Sequence, residues 1–115
     1  MFERFKKFVE NTNNPHFLAQ AQSTKALIAF CEKHDQGGPR VDSLRECLKA
    51  LEARDIREAI KHYRAVPLGG MGCFNDWWPK AGCEHETDEY ACAVFDALVE
   101  RWSRLMRLSE EKSLS

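Results

Sequence analysis

The thiol and imidazole side chains in the second half of the chain are the residues most able to do chemistry. They are Cys73, Cys83, His85 and Cys92. Thiolate and imidazole groups bind zinc tetrahedrally. However, these residues contain no Cys-x-x-Cys pair, and Cys92 falls beside the apolar side of a predicted helix, where a thiol packs as a small apolar group. Zinc binding is therefore the less favoured interpretation, and the sequence predicts no metal site and no cofactor.

A cysteine nucleophile is the second chemistry that these residues suggest. In that interpretation His62 or His85 would activate Cys73, and Asp76 would orient the imidazole. Such a pair would have to be assembled by the fold, because nothing local holds the groups together. No sequence signature of a cysteine enzyme surrounds Cys73 or Cys83. We therefore predict that the protein is not an enzyme and has no catalytic residue.

Acidic side chains form a dense group immediately before the last predicted helix. Glu84, Glu86, Asp88 and Glu89 surround His85. Two plainer interpretations are a solvated charge run and a favourable interaction with the positive end of the helix. The third is a contact surface for a basic partner, because clustered charge steers association and sets specificity.

Two adjacent tryptophans precede the acidic group and follow Asp76. Neighbouring side chains on an extended strand point to opposite faces, so Trp77 and Trp78 cannot both face inward there. An exposed tryptophan beside carboxylates is a plausible binding anchor. Asp76 has the plainer role of turning the backbone. The sequence therefore predicts a partner-binding surface that consists of Asp76, Trp77, Trp78, Glu84, His85, Glu86, Asp88 and Glu89.

A glycine- and tryptophan-rich stretch, residues 67–79, would position part of this surface. Gly69, Gly70 and Gly72 allow backbone conformations that other residues avoid, and a proline at each end opposes helix continuation. The stretch also carries more large apolar groups than a solvated loop needs. It is therefore predicted to be an ordered loop packed on a core, directly before the last helix.

Apolar residues spaced three or four apart predict helices on both sides of this loop. A short helix is expected over residues 2–9, and a second helix follows the Asn14 cap, carries Phe17 and Leu18 on its apolar side, and ends before residue 37. A capping box at 43–46 starts a third helix, a bend near Arg54 separates the fourth, and Thr87 starts the last. One long curved helix in place of the third and fourth is the alternative. The fold class is all-α: one domain over residues 1–115, a bundle of about five helices, frayed over 109–115.

Composition limits the classes of function. The chain has 115 residues, 43% hydrophobic and 30% charged, with a formal net charge of −1. No sustained basic block is present, which disfavours nucleic-acid binding. No apolar run is long enough to span a bilayer, and no secretory signal is recognisable. The five cysteines are odd in number, so we expect reduced thiols in a cytoplasmic protein.

The stretch Gly69-Gly-Met-Gly-Cys-Phe-Asn-Asp76 resembles a motif of small, uncharacterised bacterial helical proteins, Gly-Gly-Met-Gly-Ser-(Leu/Phe)-Asn-Asp. This chain departs from the motif at Cys73, where serine is usual, which disfavours a metal or nucleophile role for that thiol. Proteins of this type are similar to immunity proteins that accompany polymorphic toxins. The resemblance implies a binding protein that neutralises a cognate toxin by occlusion. A structural subunit that forms a homodimer through its helix faces is another interpretation.

Overall fold

The computed structural model describes residues 14–34, 39–66, 68 and 79–114. These residues form four helices, α1 (Phe17–Lys33), α2 (Pro39–Glu52), α3 (Ile56–Arg64) and α4 (Asp88–Leu114). The all-α fold class is confirmed. The predicted count of about five is slightly high for the described residues, and the helix expected over residues 2–9 lies outside them. None of the four described helices is long and apolar enough to cross a membrane.

The core lies where the apolar faces of the four helices meet. α1 packs against α2 and α4, and α3 packs against the same two helices. The Phe30 and Phe95 rings stack with their centroids 5.8 Å apart, and Tyr63 meets Trp102 edge to face at 5.2 Å. Both arrangements are favourable for aromatic quadrupoles. Burial of this apolar surface is the main driving force that holds the bundle together.

A tight corner joins α2 to α3 and confirms the bend predicted near Arg54. Arg54 has a φ of 61°, the left-handed conformation that commonly ends a helix. The amide of Asp55 donates to the carbonyl of Ala50 at 2.9 Å, which closes the corner. The Asp55 carboxylate then accepts from the amide of Glu58 at 3.2 Å and caps α3, as its residue type predicts.

The other helix starts agree with the sequence only in part. Thr87 caps α4 as predicted, because its hydroxyl accepts from the amide of Tyr90 at 3.0 Å. The predicted Asn14 cap is found only in part: Asn14 Oδ1 accepts from the His16 amide at 3.4 Å, but α1 begins at Phe17 and its N-cap residue, His16, makes no side-chain cap bond. α2 begins at Pro39, so the predicted capping box at 43–46 lies inside a helix. Proline suits the first turn because its missing amide hydrogen would be unpaired there.

Leu18 was also expected on the apolar side of α1, but the leucine is 69% exposed. The buried positions of this helix, which include Phe17, Leu27 and Cys31, cluster on one side of the axis. Leu18 follows Phe17 by one residue, which rotates its side chain by a little over a quarter turn away from that side. Its spacing alone therefore overstated its burial.

α4 continues into the stretch that was predicted to fray from residue 109. The helix continues to Leu114, and Ser109 is only 4% exposed. The Gln20 amide donates to the Ser109 hydroxyl at 2.8 Å and to the Leu105 carbonyl at 2.9 Å. Ser109 donates to the Asn14 side-chain oxygen, and the Asn14 amide donates back to Gln20, both at 2.9 Å. We call Asn14, Gln20 and Ser109 the neutral ring, which joins the start of α1 to the end of α4.

Candidate functional site

The candidate site is built on residues 79–87, which lead into α4 and which we call the junction segment. The Asp88 carboxylate accepts from the backbone amide of Ala81 at 2.8 Å. The Cys92 thiol donates to the carbonyl of Pro79 at 3.6 Å, and Pro79 itself is fully buried. The first turns of α4 therefore hold the segment that precedes them.

The Glu86 carboxylate is the centre of the site and joins the junction segment to α1. Its side chain is only 4% exposed. Oε1 accepts from the Gly82 amide at 3.1 Å and from the Cys83 thiol at 3.0 Å. Oε2 lies 3.3 Å from His34 Nε2, and the Lys33 ammonium lies 3.7 Å from Oε1. We call Glu86, Cys83 and His34 the carboxylate clamp.

His34 is held in a fixed orientation. Its side chain is 1% exposed and its ring stacks on Phe30, with centroids 4.0 Å apart and an interplanar angle of 23°. Nδ1 lies 3.0 Å from the Phe30 carbonyl, which can only accept. Nε2 faces the Glu86 carboxylate, also an acceptor when ionised. Both ring nitrogens of His34 therefore face acceptor oxygens.

The clamp separates the protonation states of its carboxyl and thiol groups. The hydrogen bond from Cys83 lowers the pKa of Glu86 to about 2, and the Gly82 amide, Lys33 and His34 act in the same direction against the effect of burial. The same hydrogen bond, followed by burial, raises the pKa of the Cys83 thiol. At neutral pH the site therefore holds an ionised carboxylate beside a neutral thiol.

The donor atoms of Cys83, His85 and Glu86 converge within 4.8 Å of one another. Cys83 Sγ lies 3.3 Å from His85 Nδ1 and 3.4 Å from Nε2. Because the two distances are nearly equal, the sulfur lies over the ring face rather than on the axis of one nitrogen lone pair. Such a pair is poorly arranged for thiol deprotonation, and a raised thiol pKa reduces nucleophilic character. These three residues are the described group that could hold a metal ion.

The predicted surface residues separate into an exposed set and one buried member. Glu84, His85, Asp88 and Glu89 are exposed. Glu86 was expected beside them, but its carboxylate is buried in the clamp. Internal hydrogen bonds take up both of its oxygens, so Glu86 supports the segment rather than offering charge to a partner.

Other predicted site residues lie elsewhere. Asp76, Trp77 and Trp78 lie outside the described residues, as does Cys73, so the predicted packed loop over 67–79 stays a prediction. His62 belongs to α3 and pairs with Glu58 at 3.2 Å. Of the four residues considered for zinc, Cys83 and His85 are brought together among the described residues.

Three residues of the site were missed by the sequence analysis. Lys33 and His34 are the last residue of α1 and the residue after it, where cations suit the helix dipole, and that pattern could have drawn attention to them. Tyr90 is 51% exposed and follows Glu89 directly. Its position off the apolar stripe of α4 was the available signal.

Two other described thiols, those of Cys31 and Cys47, have a structural role. Cys31 and Cys47 are fully buried in the core, and burial raises the pKa of each to about 12. Among the described residues, Cys31, Cys47, Cys83 and Cys92 are all free. Buried thiols with raised pKa values act as small apolar groups.

Fold and site together define an all-helical protein with a buried carboxylate clamp beneath an exposed acidic segment. No protein-family model, curated protein or solved structure matches the chain. The geometry and chemistry of the described residues are therefore the guide to its function.

Proposed function

We propose that the protein is a non-enzymatic binding protein that docks a basic protein partner at the start of α4. The observation that carries this proposal is the juxtaposition of exposed carboxylates with an exposed tyrosine on a segment anchored to α1. We call this region the acidic surface. It consists of Glu84, His85, Asp88, Glu89 and Tyr90.

The charge of the acidic surface supports a basic partner. Asp88 is partly compensated, since it accepts from the Ala81 amide and lies 3.8 Å from the Lys80 ammonium. Among the described residues, Glu84 and Glu89 pair with no cation. Uncompensated like charges attract an oppositely charged surface and raise the association rate. Glu84 and Glu89 are therefore the residues expected to steer the partner.

Tyr90 supplies a large contact group next to this charge. The side chain is 51% exposed although it belongs to the first turns of α4. Tyrosine is enriched among the residues that contribute most to binding energy at protein interfaces. We therefore expect Tyr90 to be the anchor residue of the interface, with the exposed carboxylates around it.

The carboxylate clamp supports binding because it holds the segment in place before a partner arrives. Glu86 connects the segment to His34, whose ring is buried and stacked. Preorganisation lowers the entropy lost when an interface forms. The non-enzymatic part of the proposal is supported by the Cys83 thiol, whose raised pKa disfavours the nucleophilic thiolate.

A narrower proposal is that the partner is a toxin and that binding occludes its active site. It is supported by the resemblance of the stretch 69–76 to the motif of small bacterial helical proteins, which are similar to immunity proteins. An acidic surface also fits a toxin that acts on nucleic acid, because such a toxin needs a basic substrate-binding face.

Capture of partners from cells that produce the protein tests the broader proposal. The double variant Glu84→Lys/Glu89→Lys reverses two exposed charges without touching the clamp. The matched control, Glu46→Lys/Asp96→Lys, reverses two exposed charges on α2 and α4. We expect wild type and control to retain a basic partner, and the Glu84/Glu89 variant to bind it at least about tenfold more weakly.

The salt dependence of binding distinguishes steering from anchoring. For the captured partner, Tyr90→Ala is expected to weaken binding while leaving its salt dependence unchanged, because no charge is removed. Retention of the same proteins by wild type and both double variants would contradict the proposed surface.

Co-expression with the product of the neighbouring gene tests whether the partner is a toxin. Cells that produce both proteins must survive with wild type and must not survive with Glu84→Lys/Glu89→Lys.

A further inference from the structure

Three side chains of the junction segment bring potential metal-ligand atoms within 4.8 Å of one another. Cys83 Sγ lies 3.0 Å from Glu86 Oε1 and 3.3 Å from His85 Nδ1. Ligand atoms of a tetrahedral zinc site, at about 2.0–2.3 Å from the ion, are separated by roughly 3.3–3.7 Å. We propose that Cys83, His85 and Glu86 form a binding site for a divalent cation of the zinc class. This proposal is independent of the partner-binding function.

The backbone and neighbouring side chains already orient two of the three ligands. The Glu86 amide donates to the Cys83 carbonyl at 3.0 Å, which closes a turn between the two residues. His34 holds the second carboxylate oxygen at 3.3 Å, and the Gly82 amide lies 3.1 Å from the first. Groups that hydrogen-bond to a metal ligand fix its orientation and commonly matter about tenfold or more for metal affinity.

The thiol proton of Cys83 would be displaced by a bound cation. It is donated to Glu86 and so lies between two of the ligand atoms. Binding replaces it: the ion forms a bond to the Cys83 thiolate and one proton is released to solvent. Metal affinity therefore increases with pH. His85 must turn its ring to aim one nitrogen at the ion, and its exposed position leaves room for that rotation.

In the metal-free protein Lys33 lies beside two of the proposed ligands and opposes the entry of a cation. Its ammonium lies 3.8 Å from Cys83 Sγ and 3.7 Å from Glu86 Oε1, so it already supplies positive charge to both ligands. The side chain is 53% exposed and can move into solvent when a cation enters. Removing this charge is expected to strengthen metal binding, whereas removing a structural contact would not.

The donor set selects among metals. One thiolate, one imidazole and one carboxylate suit Zn²⁺ and Co²⁺, whereas Mg²⁺ and Ca²⁺ prefer oxygen ligands alone. Three protein ligands leave a fourth tetrahedral position for water or for an atom of another molecule.

Titration of the full-length, metal-free protein with Co²⁺ under reducing conditions tests the site. Thiolate coordination is read from the sulfur-to-cobalt charge-transfer absorption, and Zn²⁺ is then added to displace Co²⁺. We expect one Co²⁺ per chain with this absorption in wild type and in the matched control Cys92→Ser. Cys83→Ser must lose the absorption, and His85→Gln must weaken binding about tenfold or more. Lys33→Met must bind more tightly, by about threefold to tenfold.

Melting curves of the metal-free variants verify that each is folded. If Cys83→Ser does not fold, the exposed substitutions His85→Gln and Lys33→Met decide the question. Absence of the charge-transfer absorption in wild type at excess Co²⁺ would overturn the proposal. So would an absorption that disappears in Cys92→Ser and persists in Cys83→Ser, or a Lys33→Met variant whose Co²⁺ affinity equals that of wild type.

Discussion

The two ends of the contact between α1 and α4 are both held by polar groups, but by groups of different kinds. At one end the neutral ring of Asn14, Gln20 and Ser109 uses amides and a hydroxyl. At the other end the carboxylate clamp uses Glu86 with His34 and Cys83. The first set contains no group that titrates near neutral pH, whereas every member of the second can gain or lose a proton.

Because of this difference, the neutral ring contributes stability that does not depend on pH, whereas the clamp can respond to protons and cations. In the neutral ring each donor meets an acceptor, and Gln20 is fully buried, so the contacts persist whatever the pH. The clamp depends on an ionised Glu86, and the proposed cation would replace the thiol proton of Cys83. Chemistry and partner binding are therefore favoured at the clamp end of the bundle, and a purely structural role at the ring end.

The largest effect is expected from breaking the neutral ring with Gln20→Ala. This change removes the acceptor of the Asn14 side-chain amide and the donor to the Ser109 hydroxyl and the Leu105 carbonyl, while Ser109 still donates to Asn14. Unsatisfied buried polar groups cost about 1–3 kcal/mol each, so the free energy of unfolding should fall by about 2–4 kcal/mol. Urea denaturation at pH 7 measures the change.

Gln22→Ala is the matched control, because Gln22 is exposed on the same helix and its loss should change stability by less than about 0.5 kcal/mol. The loss in Gln20→Ala should also be the same at pH 4 and pH 7, since the ring is neutral. A loss that varies with pH would show that the two ends are energetically linked.

A smaller, pH-dependent effect is expected from Glu86→Gln. The folded-state pKa of Glu86 is about 2, below its ordinary value of 4.5. A lowered folded pKa stabilises the fold above the ordinary value, and this stabilisation is lost as pH falls from about 4.5 towards 2. Glu86→Gln should therefore be less stable than wild type at pH 6, and the difference should shrink as pH falls through that window.

Thermal melting from pH 6 to pH 2.5 measures the Glu86→Gln effect. The matched control is Glu84→Gln, an exposed carboxylate two residues away, which should follow the wild-type profile closely. If Glu86→Gln and wild type kept a constant difference over the whole range, the carboxylate would not be the group that makes the clamp pH-dependent.

The smallest effect is expected from an ion pair on the exposed face of α4. Arg104 pairs with Glu100 at 2.6 Å, but the two side chains are 70% and 65% exposed. Exposed pairs at this helical spacing contribute about 0.3–0.5 kcal/mol and are screened by salt. Arg104→Gln should lower the free energy of unfolding by no more than that, and 1 M salt should abolish the difference. A larger loss would mean that distance, rather than burial, determines the strength of polar contacts here.

Local signals predicted the features that depend on neighbouring residues. The Asp55 cap, the Thr87 cap and the bend at Arg54 each involve atoms a few residues apart. The fold class was predictable for the same reason, because apolar spacing along each helix reports one buried face. The role of Asn14 was predicted only in part, because its side chain accepts from the His16 amide but also bonds to the distant Gln20 and Ser109.

The candidate site was predictable only in its sequence-local part. Cys83, His85 and Glu86 are close in the chain, and the sequence drew attention to all three. His34 is 52 residues away from Glu86, and no local pattern connects the two. The acidic character of the segment was therefore visible in the sequence, whereas the inward orientation of Glu86 was not.

The sequence by itself determined that the chain is helical, where α3 and α4 begin, and that acidic and thiol groups gather before α4. Only the tertiary structure decided which of these groups are buried and paired. The physical reason is that capping and helical periodicity act over one or two turns, whereas burial of Glu86 requires the end of α1 to pack against the junction segment. That packing brings His34 and Lys33 to the carboxylate, where they add to the local hydrogen bond from Cys83 that lowers the pKa of Glu86.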